Sequence, residues 1–153
     1  GQAPGVRVHE TGIPFNDPSG DRLRDWMGID RDIFYDATKI AILPMGFCYP
    51  GTGKSGDLPP RPECAPMWHP RILPLLERIQ LTVYIGSFAV ARNFDGRYKT
   101  LTDAALDYRA LLPDCIALPH PSPRNAMWAA RQPWFEAEAL PALRERVKKV
   151  IKK

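Results

Sequence analysis

The stretch Leu118–Trp128, LPHPSPRNAMW, places an imidazole, a hydroxyl and a guanidinium close together at His120, Ser122 and Arg124. Pro119 and Pro121 fix their own φ angles, and each pushes the residue before it out of the helical region. His120 therefore belongs to a stiff extended loop. A histidine held in this way is suited to donating or accepting a proton at a fixed point, although a proline-rich turn also has purely structural causes.

Other groups with chemical potential are less well supported by their spacing. YPGTGKSGD (49–57) ends like a phosphate loop at Gly53, Lys54 and Ser55, but the first glycine of that motif falls at Cys48. No hydrophobic strand leads directly into a helix there, so an exposed flexible loop is expected. Cys48 and Cys64 flank that loop. They read as half of a metal or cluster site, since such sites usually take four ligands. Cys115 falls in a predicted core strand and cannot complete the set, and buried free thiols are the other reading. His9 and His69 lie in polar surroundings without ligand spacing and are expected on the surface or in loops.

A chain of 153 residues suits one domain, expected to span 1–153, with a real core. No apolar run approaches the roughly 20 residues of a membrane span, and no signal peptide is visible. Three cysteines are an odd number, which argues against a secreted disulfide scaffold and for a reducing compartment, so a cytoplasmic location is expected. A monomer is expected as well. The excess of 21 Lys and Arg over 17 acids, +4, suits a polyanionic partner without demonstrating one. The 17 prolines gather at 14–18, 59–70 and 113–123, and loops this stiff are often where sites are built.

The elements that must position these groups follow from periodicity. The opening GQAPGVRVHETGIPFNDPSGD is too rich in Gly and Pro for a regular element and reads as a long loop. A short amphipathic helix follows Ser19, with Leu23, Trp26 and Met27 on one face and Gly28 as its cap. ATKIAIL (37–43), LTVYIG (81–86) and DCIALP (114–119) read as buried strands. HPRILPLLERI is the expected crossover helix, SFAVARNF opens another helix, and WFEAEALPALRERVKKVIKK is a terminal helix with Leu140, Leu143, Val147 and Val150 or Ile151 on its apolar stripe. Alternating strands and helices predict a three-layer α/β fold with a mostly parallel sheet, whose sites lie beyond the carboxyl ends of the strands. No strand precedes the opening loop, so an N-terminal segment is expected to be missing.

GQAPG (1–5), TGIPF (11–15) and HPSPRN (120–125), in that order with strands between, together resemble the uracil-DNA glycosylase superfamily. Its members carry a G-Q-D-P or G-E-A-P opening, a stacking Phe about ten residues on, and a late H-P-S-P loop. The resemblance implies a parallel four-stranded sheet flanked by helices, with a first strand running into the G-Q motif. It also implies DNA containing uracil or a related deaminated base as partner. His120 would donate to uracil O2 and stabilise the departing base, Phe15 would stack on it, and the opening turn with Gln2 would present backbone groups to it. Phe15 as an ordinary core aromatic is the alternative. Ser122 would bind a phosphate, and Arg124 stands where relatives place the wedge that fills the gap of the flipped base; its guanidinium would stack in the duplex or contact a phosphate.

The sequence departs from the family at the water-activating position. Ala3 replaces the acid of the G-Q-D-P form and Gln2 that of the G-E-A-P form, leaving Glu10 and Asp17 as the nearest carboxylates. Asp17 in FNDPSGD resembles the F-T-G-D-x-S-G stretch of another branch and is preferred, with a turn residue before Pro18 as the alternative. Where relatives place a base-reading Asn, DATKIAIL offers Asp36, Thr38 and Lys39, and Thr38 is the candidate. The spacing of Cys48 and Cys64 resembles the second half of a 4Fe-4S ligand set in the iron-sulfur branch. Two functional classes compete: a monofunctional glycosylase that leaves an abasic site without a cofactor in catalysis, and a nucleic-acid binding module that kept the fold and lost the chemistry. An unrelated α/β hydrolase lacks support, because no G-x-S-x-G elbow is present.

Overall fold

The computed structural model describes residues 1–152. The opening segment is not wholly irregular: Val6–Thr11 forms a short helix, α1, between Gly5 at its N-cap and Gly12 in the left-handed conformation that ends it. Six helix-compatible residues between two glycines are enough for one and a half turns, and the surrounding Gly and Pro hid them. Helix α2, Pro18–Met27, begins two residues before the expected start, because Asp17 caps it by accepting from Gly20 N at 2.9 Å and Pro18 suits the first turn. Gly28 ends it in the left-handed region as expected. A single turn, α3 (Arg31–Phe34), follows.

Residues 37–43 do not form the expected strand. Lys39 N and Ile40 N bond back to Asp36 O in a turn, and beyond it Ile40 and Ile42 pack on the core without a ladder partner. These residues share the walls of an apolar groove of about 740 Å³ with Leu81, Val83 and Ile85. An apolar run makes a strand only where another backbone lies within bonding reach. One residue later that condition is met: Gly1 N donates to Leu43 O (3.2 Å), and Met45 N and Gly46 N donate to Gly1 O and Gln2 O (2.8 and 2.9 Å).

The glycine-rich stretch expected to be a flexible loop is a tight antiparallel hairpin, β1 (Thr52–Gly53) against β2 (Gly56–Asp57), with Lys54 and Ser55 at its turn. Helix α4 spans Cys64–Ile72 and gives way to a 3-10 turn at Leu73–Leu75, earlier than the expected crossover helix, because Pro74 has no N–H to continue the α-helical ladder. Strand β3 (Thr82–Ile85), helix α5 (Ser87–Asn93), helix α6 (Leu101–Leu106) and helix α7 (Tyr108–Leu111) lead to strand β4 (Cys115–Leu118), which pairs with β3 in parallel. The capping box of α6, Thr100 with Asp103, was present in the sequence as T-L-T-D and is reciprocal in the structure.

After a 3-10 turn at Pro123–Asn125 come α8 (Ala126–Ala130) and α9 (Leu140–Ile151), the latter entered through a π-helical turn at Phe135–Ala139. Pro141 has no N–H to continue the ladder, which accounts for the widened turn before it. The two faces of the β3–β4 pair divide the core by the period-2 rule. Ile116 and Leu118 face Leu23, Trp26, Phe135, Leu143 and Val147, while Ala117 faces Val90, Ala104 and Leu111. The molecule is thus a layered α/β fold with a parallel strand pair at its centre; among the described residues the four-stranded sheet is not formed. No helix among them is long and apolar enough to cross a membrane.

Candidate active site

A cleft of about 440 Å³ opens at the carboxyl ends of β3 and β4, the edge where α/β sheets build their sites. Four segments wall it: the opening residues Gly1–Gly5, the Pro14–Asp17 corner, the hairpin at Asp57 and Leu58, and the loop after β4 with His120, Ser122, Arg124 and Asn125.

His120 follows β4 by two residues. Gly86, at the end of β3 with φ +88°, brings its backbone beside the ring's stem: a Cβ there would stand 3.7 Å from His120 Cβ. The imidazole is fixed by its own loop, since Ser122 N donates to Nδ1 at 3.2 Å and Asn125 Nδ2 donates to His120 O at 2.8 Å. Burial pushes the ring below its ordinary 6.5, while the carboxylates of Asp17 and Asp57 oppose that shift. With Nδ1 accepting, a neutral ring carries its proton on Nε2. The cleft therefore contains one oriented, uncharged N–H donor.

Phe15 is both a cleft wall and a core neighbour, edge-on to Phe34 with centroids 6.0 Å apart. Its backbone is left-handed, φ 54°, a conformation that bulky residues adopt only when held. The buried Arg24 supplies the hold by donating to Phe15 O (3.3 Å). Arg24 also reaches Asp21 (2.7 Å) and Tyr35 Oη (3.4 Å), and Tyr35 in turn donates to Pro14 O (2.7 Å). Gly20 is required beneath this corner, because a Cβ there would stand 1.7 Å from Phe15 O. Gly1 packs against the ring edge, its ideal Cβ 3.4 Å from Phe15 Cζ.

Gln2 and Asp17 also line the cleft. One oxygen of Asp17 is committed to Gly20 N as the α2 cap, so the capping role is real and a single carboxylate oxygen is left. Glu10 is exposed on α1 and does not line the cleft. Thr38 is not brought there: it lines the apolar groove, and its amide and hydroxyl both donate to Asp36 Oδ1 (2.9 and 2.6 Å), holding that carboxyl below its ordinary value. Ser122 Oγ accepts from Arg124 N (3.3 Å), which leaves its own hydrogen to donate outward.

Arg124 is not an idle side chain. Its Nη1 donates to Ser55 O at 2.9 Å and so docks the hairpin onto the His120 loop. This contact explains the glycine at Gly56, where φ is +128° and a Cβ would fall 1.9 Å from Arg124 Nη1. The hairpin brings in Asp57, which the motifs did not single out; G-K-S-G as a two-residue turn was the signal. Asn125 was likewise unassigned, although it is the last residue of HPSPRN.

The remaining candidates lie elsewhere. Cys48 is exposed, Cys64 is half-buried at the start of α4, and Cys115 is half-buried on β4. Among the described residues no three His, Cys, Asp or Glu gather as metal ligands, and a cluster needs four thiolates. His9 is exposed, its ring 5.8 Å from that of Tyr49. His69 is buried rather than on the surface: α4 carries it under the 43–46 turn, where Nε2 donates to Pro44 O at 2.9 Å. A family model described as the uracil DNA glycosylase superfamily matches residues 1–144.

Proposed function

Because the chain belongs to the uracil-DNA glycosylase superfamily, we propose that it flips uracil or a related deaminated base out of DNA and hydrolyses its N-glycosidic bond, leaving an abasic site. Scission leaves positive charge on the sugar and negative charge on the base, so a donor fixed in advance at a base carbonyl lowers the barrier. The observation that carries this reading is the uncharged His120 ring, whose Nδ1 is occupied by Ser122 N and whose Nε2–H is left for the base.

Phe15 is the stacking platform, and Gln2 with the opening turn borders the base. Asp17 orients the attacking water through the oxygen not used in capping. Ser122 donates to a backbone phosphate, and the guanidinium N–H groups of Arg124 not spent on Ser55 serve the same strand. The decisive experiment is single-turnover release from a uracil-containing oligonucleotide, read as alkali-labile strand cleavage, with a hypoxanthine substrate beside it. Release that is lost in His120→Ala supports the reading. A second reading, a binding module without catalysis, draws on the opening residues Gly1–Gly5, which carry no carboxylate side chain, and on the partial commitment of Asp17 to its cap. Tight, damage-independent DNA binding without base release would select it.

A further inference from the structure

The cleft has a second carboxylate with no assigned work. Asp57 stands on β2 with its Oδ2 over the opening loop, 3.4 Å from the Cβ position of Gly5. It lines the cleft with His120. Among the described residues neither of its carboxylate oxygens has a hydrogen-bond or ion-pair partner, in contrast to Asp17, whose Oδ1 is held by Gly20 N. Asp57 is exposed on the cleft rim, so its unpaired carboxylate is open to a water held in the cleft. The hairpin that carries it is not loosely placed: Arg124 Nη1 clasps Ser55 O, and Gly56 permits that approach.

We propose that Asp57, delivered over the opening loop by the Arg124-braced hairpin, is a second catalytic carboxylate of the cleft and takes the proton of the attacking water. This rests on the glycosylase reading above. In the step, the water oxygen forms a bond to the sugar carbon as the bond to the base nitrogen breaks. The bonding pair leaves with the base, its charge facing the His120 N–H. The water proton passes to Asp57, and the base anion is later protonated from solvent. Asp17 orients the water and Asp57 accepts from it, which restores from a distant hairpin the acid absent at Ala3. Arg124 acts on this step as a positioning residue.

The test uses the whole chain and a uracil-containing duplex at saturating protein, with affinity measured separately. Asp57→Asn should lower the single-turnover rate by about 10²-fold, the usual yield of a positioned acid or base, while DNA affinity is unchanged or tighter. Asp57→Glu should recover part of the rate. Arg124→Ala should slow the step as well, and in the Asp57→Asn background it should add little, because the brace then has nothing to deliver. Asp57→Asn at the wild-type rate would overturn the inference while leaving the glycosylase reading intact, as would fully additive rate losses in the double variant. A wild-type protein that releases neither uracil nor hypoxanthine would overturn both.

Discussion

The His120 loop and the 52–57 hairpin wall the same cleft and touch each other through one guanidinium, yet they are rigid for different reasons. The loop is stiff by its covalent chemistry: Pro119, Pro121 and Pro123 restrict it wherever it is placed. The hairpin has two ladder residues on each side and owes its place to a residue 69 positions away, Arg124 on Ser55 O. Isolated hairpins are marginal in water. Local stiffness can be read from a sequence, whereas borrowed stiffness becomes visible only when the lender is seen.

The largest expected effect separates what each wall does. His120→Ala should lower single-turnover excision by about 10²–10³-fold with DNA binding retained, since an oxyanion donor acts on the transition state. Unchanged excision would remove the stiff loop from the chemistry. Gly56→Ala tests the borrowed placement, because it strains a left-handed position by about 1–3 kcal/mol and pushes a Cβ into Arg124. Amide exchange at Leu58, whose N–H bonds Gly51 O at 2.8 Å, should quicken by roughly tenfold, while Asn125 and Ala126 keep their protection. Loss of protection in both walls would mean that the hairpin supports the loop as well.

A smaller effect is expected within the stiff loop. Asn125→Ala removes the bond to His120 O (2.8 Å), worth about 1 kcal/mol, and should lower the melting temperature by a few degrees with a modest loss of rate. No change in either would show that the prolines alone hold the ring. The smallest effect is electrostatic. His120 should titrate below 6.5 by NMR, and Asp17→Asn or Asp57→Asn should each lower it further, because both carboxylates oppose the burial shift. The sign for stability follows: a histidine whose folded pKa is depressed favours folding above its unfolded value near 6.5, and that contribution is lost as pH falls below it. A His120 that titrates above 6.5 would contradict the buried, neutral ring.

What was legible in the sequence follows the same division. β4, β3, α5 and the stripe of α9 were readable because their patterns are local, and Gly28 is a cap whose chemistry lies within a few residues. Residues 37–43 misled because their apolar run says nothing about a backbone partner. His69 misled because the carbonyl that satisfies it lies 25 residues earlier in the chain. In the site, His120, Asp17, Phe15, Gln2, Ser122 and Arg124 were placed together by ordered motifs. Thr38 fell on the wrong side of the turn at Asp36, and Asp57 stayed hidden until Arg124 tied its hairpin down.

The corner beneath Phe15 has a consequence for how the site can change. Arg24, Tyr35 and the bare surface of Gly20 all grip the backbone at Pro14 and Phe15, and none of these bonds uses the aromatic ring. The handle is therefore fixed while the tool is interchangeable. Tyr at this position keeps the ring's edge-on contact with Phe34 and inherits the same mount, so the surface offered to a guest can be retuned by one codon without rebuilding the bracket that holds it.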